Sequence, residues 1–391
     1  MKKKIALLLA SVMVMGALAA CGGEGRDTPA SNDKNQTEDQ APAGDEDPAG
    51  EEKPAEGQPQ APAGDVNWDD IEPIELIVSS TKTEAADAAL VAFTDRITER
   101  TQGKVTFSFF WGGSLVKANE VVDALQVGTC DLAQVNYSNF ENLFPMNCNV
   151  LAVPFMGMTT GTTEVYEQLL AAHPELQAEL DNNGVHLCGY SMTAPYNLYM
   201  DSDAEIRKPE DLSGKKVICL QMNVMEFLTS VSCAPVQAAF SDFFTSIQGG
   251  VADGIITHGG VVNMQGITDE ISQEIIFGEN SGLYMETVAY CMGKDKWDSL
   301  PAEVQQVFVE EAEQFHLDDQ AVQNGHDAIQ RKAAEDAGHN YYVLTEEEVK
   351  VWKDAMDPFI QDKLDEIGAL PGCEKFREIY EDALSMIEAA K

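Results

Sequence analysis

Positive charge is what this chain has least of: 25 Lys and Arg stand against 66 Asp and Glu, a formal net charge of −41 over 391 residues. Such a surface argues against nucleic acid or anionic lipid as a partner. A bilayer-spanning run is also missing, because the apolar or small stretch from Ile5 to Ala20 falls short of the roughly 20 residues required. Neither His-x-x-x-His nor Cys-x-x-Cys occurs, which leaves a zinc site without support. No Gly-x-Ser-x-Gly, phosphate loop or dinucleotide fingerprint is present. The expectation is therefore no metal, no cofactor and no catalytic residues. Apolar residues, by contrast, are not scarce: at 44% they suffice for two domains with real cores.

The charge is unevenly distributed. Residues 1–21 carry +3, residues 22–67 hold 12 acids and 3 bases, and the remainder carries −35. Lys2, Lys3 and Lys4 before a short apolar stretch have the pattern of a secretory signal peptide over 1–20. Its end, Leu18-Ala19-Ala20-Cys21, resembles the bacterial lipobox, which implies a diacylglyceryl group on Cys21. Two or three acyl chains, at about 0.8 kcal/mol per buried CH₂, would hold the protein durably on the outer face of the cell membrane. Residues 21–67 are rich in Pro, Ala, Gly, Glu and Asp and repeat Ala-Pro-Ala-Gly-Asp at 41–45 and 61–65. With almost no apolar side chain to bury, this stretch is expected to be an extended, disordered acidic tether.

From Ile71 onward, β-rich runs alternate with amphipathic stretches, the pattern of an α/β protein. Strands are expected at 75–79, 104–111, 132–136, 186–190, 197–200, 216–220 and 341–344. Helices are expected at 84–101, 119–127, 223–232 and 241–249, and over most of the chain after Pro301. Thr345 followed three residues later by Glu348 marks a helix start. The strand–helix order implies largely parallel sheets with ligands outside their carboxyl ends.

Six segments then resemble, in order, the DctP-like substrate-binding subunits of tripartite ATP-independent periplasmic (TRAP) transporters. They are TQGKVTFSFFWGGSL (101–115), VGTCDL (127–132), VPF (153–155), KPEDLSGKKV (208–217), FSDFFTSIQGGVADG (240–254) and KWDSLP (296–301). The resemblance implies a two-lobed periplasmic-binding-protein type fold with a hinge and C-terminal helices. One lobe would comprise 71–195 plus 283–323, the other 196–282 plus 324–391. It also implies a non-enzymatic receptor that closes on one small solute and delivers it to the membrane permease subunits. The same fold could instead sense a ligand for a signalling partner. A surface hydrolase, a third reading, would need a nucleophile–base pair in the cleft.

The pattern breaks where such receptors grip a carboxylate. Ile218 follows Gly214-Lys-Lys-Val217 in place of an arginine, and no arginine occurs between Arg207 and Arg331. Ile255 and Ile256 follow the Asp253-Gly254 pair where an asparagine contact is expected, and a second arginine position falls near Leu198. Either the solute is not a simple arginine-clamped organic acid, being neutral, zwitterionic or aromatic, or Lys82 replaces the arginine as a point charge. The remaining candidate ligand contacts are Asn136, Tyr137, Asn139, Gln221, Asn223, Phe240, Phe244, Thr257 and His258. Trp111, Tyr190 and Tyr196 could add aromatic walls. Beyond Cys21 there are seven cysteines, so at least one is unpaired; buried free thiols are the preferred reading, and pairing stays open.

Overall fold

The computed structural model describes residues 66–390. The export signal over 1–20, the lipid-attachment residue Cys21 and the tether through residue 65 lie outside the described residues. Val66, near the tether's end, packs against the apolar cluster that holds Leu76, Phe93 and Phe308.

In chain order the strands are β1 (Ile74–Ser79), β2 (Val105–Phe110), β3 (Leu132–Asn136), β4 (Gly157–Met158), β5 (Val185–Met192), β6 (Asn197–Met200) and β7 (Lys216–Ile218). They continue as β8 (Ala234–Val236), β9 (Gly254–Thr257), β10 (Gln273–Ile276), β11 (Ser281–Gly282), β12 (Thr287–Gly293) and β13 (Asn340–Val343). Two sheets result, ordered β2-β1-β3-β12-β5 and β13-β10-β6-β9-β7-β8, with β4 and β11 forming a separate ribbon. Each sheet is the centre of one lobe. β1 runs parallel to β2 and β3, and β7 parallel to β8 and β9. The expected parallelism is interrupted once in each sheet. β12 lies antiparallel between β3 and β5, and β6 antiparallel between β10 and β9. Both are strands on which the chain has just crossed from the other sheet, so they enter from the opposite end.

The expected strands are present with ends displaced by a few residues at most. β12 had no visible pattern because all seven of its residues are buried, and a strand covered on both faces loses the alternation that marks a half-exposed one. The first helical stretch is a 3-10 turn over Glu84–Asp87 followed by the helix Ala88–Arg100. Ala89, Leu90, Phe93 and Ile97 form its buried face, and Phe93 packs on Phe308 and Phe315. The partner is the longest helix, Ala302–Ala337, held also by Arg96 and Arg100, which donate to Glu311 at 2.6 and 2.9 Å. The buried face of that helix changes character along its length, from Val304, Val307, Phe308 and Phe315 to Asp319, Gln330 and Ala334.

The chain passes between the lobes three times: at 193–196, at 277–286 and along Ala302–Ala337. The first two passes are hydrogen-bonded to each other, Tyr196 N donating to Tyr284 O at 2.7 Å and Thr193 N to Glu286 O at 3.0 Å. The contact is so close that a Cβ on Gly282 would lie 2.3 Å from Pro195 Cβ, and one on Gly157 would lie 2.8 Å from Gly282 O. Only glycine lets the ribbon close here. In the second lobe the helix Glu346–Gly368 opens on the expected capping box: Glu348 N donates to Thr345 Oγ1, and Thr345 N to the Glu348 carboxylate at 2.8 Å. All seven cysteines among the described residues are buried free thiols, and burial pushes Cys219 up to about 12. No helix among the described residues is long and apolar enough to cross a membrane.

Candidate functional site

The carboxyl ends of β1 and β3 in one lobe and of β7 and β9 in the other carry most of the expected contact residues. Lys82 follows β1, and its side chain is 22% exposed. The ammonium is already occupied: it donates to Tyr290 Oη at 3.0 Å and to Asp87 Oδ1 at 3.4 Å, and lies 4.0 Å from Asp319 Oδ1. Asp87 is saturated too, accepting from Ser80 Oγ at 2.7 Å and Tyr290 Oη at 2.6 Å. Burial raises the pKa of Asp319, while Lys82 and Ser191 favour its charged form. A lysine placed between two buried carboxylates carries no uncompensated charge for an incoming acid.

His258, at the end of β9, is 7% exposed, and burial lowers its pKa to about 4, with His326 and Lys82 adding to the effect. It is neutral at physiological pH and lies within the field of Lys82 from the other lobe. Its ring meets Tyr196 edge-on at 5.5 Å, and Tyr196 stacks on Tyr284 at 4.6 Å. The Tyr196 hydroxyl donates to Glu286 Oε2 at 3.1 Å. Gln221, after β7, reaches across the lobes and donates to Ala152 O at 3.3 Å. Its chain neighbours Leu220 and Met222 are exposed, as is Phe240 after β8, to 52%.

The other expected contacts divide. Asn136 is half-buried, and its Oδ1 accepts from Ser138 N and Oγ, capping the 3-10 turn Tyr137–Phe140. Asn139 is exposed, and Phe244 is half-buried against the apolar cluster of the second lobe. Tyr137 is buried against Phe144, Asn223 is buried with its Oδ1 on the Val224 amide, and Thr257 is buried within β9. Of these, Tyr137 belongs to an apolar cluster of the first lobe. Of the aromatic walls, Tyr190 is buried against Tyr166 and His316, and Trp111 stacks on Phe109. Ile218, where the resemblance expects one arginine, and Leu198, near which it expects a second, are buried among apolar side chains. Sequence reasoning missed Asp87, Tyr290, Asp319 and Glu286; only Asp87, five residues from Lys82, had a local signal.

The sequence model for bacterial extracellular solute-binding protein family 7, DctP, matches residues 77–366. Among curated relatives, the C4-dicarboxylate-binding periplasmic protein DctP of Vibrio cholerae is 24% identical over 294 residues, covering 75% of this chain and 86% of that one. The uncharacterized protein YiiZ of Salmonella typhimurium is 26% identical over 188 residues, and there the match spans only 56% of the relative's length. Among solved structures, a marine metagenome TRAP solute-binding protein in complex with 3-hydroxybenzoate is similar with a TM-score of 0.70 at 18% identity, over 81% of this chain and 99% of that one. A TRAP periplasmic solute-binding protein from Sulfitobacter sp. NAS-14.1 with bound β-D-galacturonate gives a TM-score of 0.65 at 19% identity, over 80% and 100%.

Proposed function

Because the chain belongs to the DctP family of bacterial extracellular solute-binding proteins, whose members are receptors and not enzymes, we propose that it is the solute receptor of a TRAP transporter. It captures one small solute between its lobes and presents the closed form to a membrane permease. The observation that carries this reading is the pair of sheets, each the centre of one lobe, on lobes joined by three chain passes and bridged by Gln221, which donates from one lobe to Ala152 O of the other. Such a joint ties binding energy to closure. The lobes are 71–195 plus 283–323 and 196–282 plus 324–391. A lipid on Cys21 and the tether that follows hold the receptor outside the cell membrane.

The solute is not a simple arginine-clamped organic acid. The relatives are named for C4-dicarboxylates, or hold a sugar acid or an aromatic acid. This chain has Ile218 where the resemblance expects one arginine and apolar residues near Leu198 where it expects a second, and its Lys82 is neutralised. A thermal-shift screen of metabolites on the intact chain tests both levels. A solute at 100-fold its dissociation constant stabilises by about 2.7 kcal/mol, a readable shift. Succinate and malate are expected to give none; a clear shift with either would refute the argument from the missing arginines. Silence across a broad metabolite set would remove the receptor reading itself.

A further inference from the structure

The charge balance of the cleft points to the kind of solute it takes, on the reading that the cleft is the solute site. On the first-lobe side, one ammonium, Lys82, faces two buried carboxylates, Asp87 and Asp319. Where the lobes join, Glu286 is a second, separate feature. Its carboxylate receives one neutral bond, from the Tyr196 hydroxyl at 3.1 Å, and no Lys, Arg or His among the described residues pairs with it. Its backbone is pinned where the first two chain passes meet, Glu286 N donating to Thr193 Oγ1 at 2.9 Å and Thr193 N donating to Glu286 O at 3.0 Å, which sets the residue at the junction of the lobes. Around it stand aromatic faces: Tyr196 stacked on Tyr284, with His258 edge-on. A half-buried carboxylate without a cation, next to π-faces, is the arrangement that holds an organic ammonium.

We propose that the cleft takes a solute carrying a protonated amine or quaternary ammonium, with Glu286 as its counter-ion and the Tyr196 ring as its apolar seat. An incoming carboxylate would add another anion to a cleft that already holds an excess of them. An incoming ammonium supplies the charge that Glu286 lacks. The exposed Leu220 and Met222, which flank Gln221 after β7, then offer apolar surface to the body of the solute on closure.

Isothermal titration of the intact protein with two series, each constant in its carbon chain, tests this. One series is putrescine, 4-aminobutyrate and succinate; the other is phenethylamine and 3-phenylpropionate. The amine-bearing members are expected to bind and the pure acids not. The Glu286→Gln variant, which keeps an acceptor for Tyr196, is expected to weaken amine binding roughly tenfold or more. Its melting temperature is measured alongside, so that loss of binding is not confused with loss of fold. Binding of the acids alone would overturn the inference and leave the receptor reading standing. Amine binding unchanged in Glu286→Gln, or no binding by any amine, would overturn it as well.

Discussion

Replacing Lys82 by methionine separates a structural lysine from a solute-gripping one. Lys82 lies against Asp87, whose carboxylate is fully buried and otherwise holds two neutral donors, Ser80 Oγ and Tyr290 Oη. Stranding one member of a buried ion pair costs about 3–5 kcal/mol. The two hydroxyls that stay on Asp87, and the partial exposure of Lys82, bring the expected loss to about 2–3 kcal/mol. For a folded unit of this size, each kcal/mol lowers the melting temperature by about 1.5 °C, so a fall of about 3–5 °C is expected. Adding Asp87→Asn to Lys82→Met removes the stranded charge and should recover part of that loss, a coupling of about 1–2 kcal/mol in a double-mutant cycle. Calorimetry on the four proteins gives the answer. A Lys82→Met protein that melts within about 1 °C of wild type, with no recovery in the double variant, would show the ammonium to be free for a solute and refute the charge balance drawn for the cleft.

Two further perturbations probe the scaffold. Burial raises the pKa of Glu274 to about 7, although Gln330 favours its charged form. A raised folded-state pKa contributes stability below the unfolded value, lost as pH rises through about 7. Glu274→Gln should therefore gain on wild type, by up to on the order of 3 kcal/mol, at pH 8 and show no gain below pH 4.5; melting curves at the two pH values check the sign. A Cβ on Gly189 would stand 2.7 Å from Phe315 Cδ1 and 2.9 Å from Cε1. Gly189→Ala should cost about 1–3 kcal/mol by forcing the long helix off β5, and denaturant unfolding would register it.

The lobes were legible in the sequence because half-exposed strands and amphipathic helices leave a period, as at 104–111 and 84–101. β12 left none, being buried throughout, and with it went Tyr290 and the strand's entry at Glu286. Lys82 was visible from its place after the first strand, but what it does depended on Tyr290 and Asp319, more than 200 residues away, and no local pattern records such a pairing. The apolar replacements at Ile218 and Leu198 were legible from the motif, and their burial explains why they leave no gap in the cleft wall.

The helix Ala302–Ala337 can be regarded as a beam about 54 Å long, clamped at two points along its second half. The first clamp is Gln320, which donates to Thr162 Oγ1 at 2.7 Å; the second is Asp327, which lies against the amides of Gly259 and Gly260. Between them falls Gly325, where nothing approaches within 4 Å of the place a side chain would begin. Glycine costs a helix about 1 kcal/mol relative to alanine, so the span is most compliant at its unsupported point. Opening of the lobes would then be flexure of a continuous rod, whose elastic recoil returns them without a latch to break and remake.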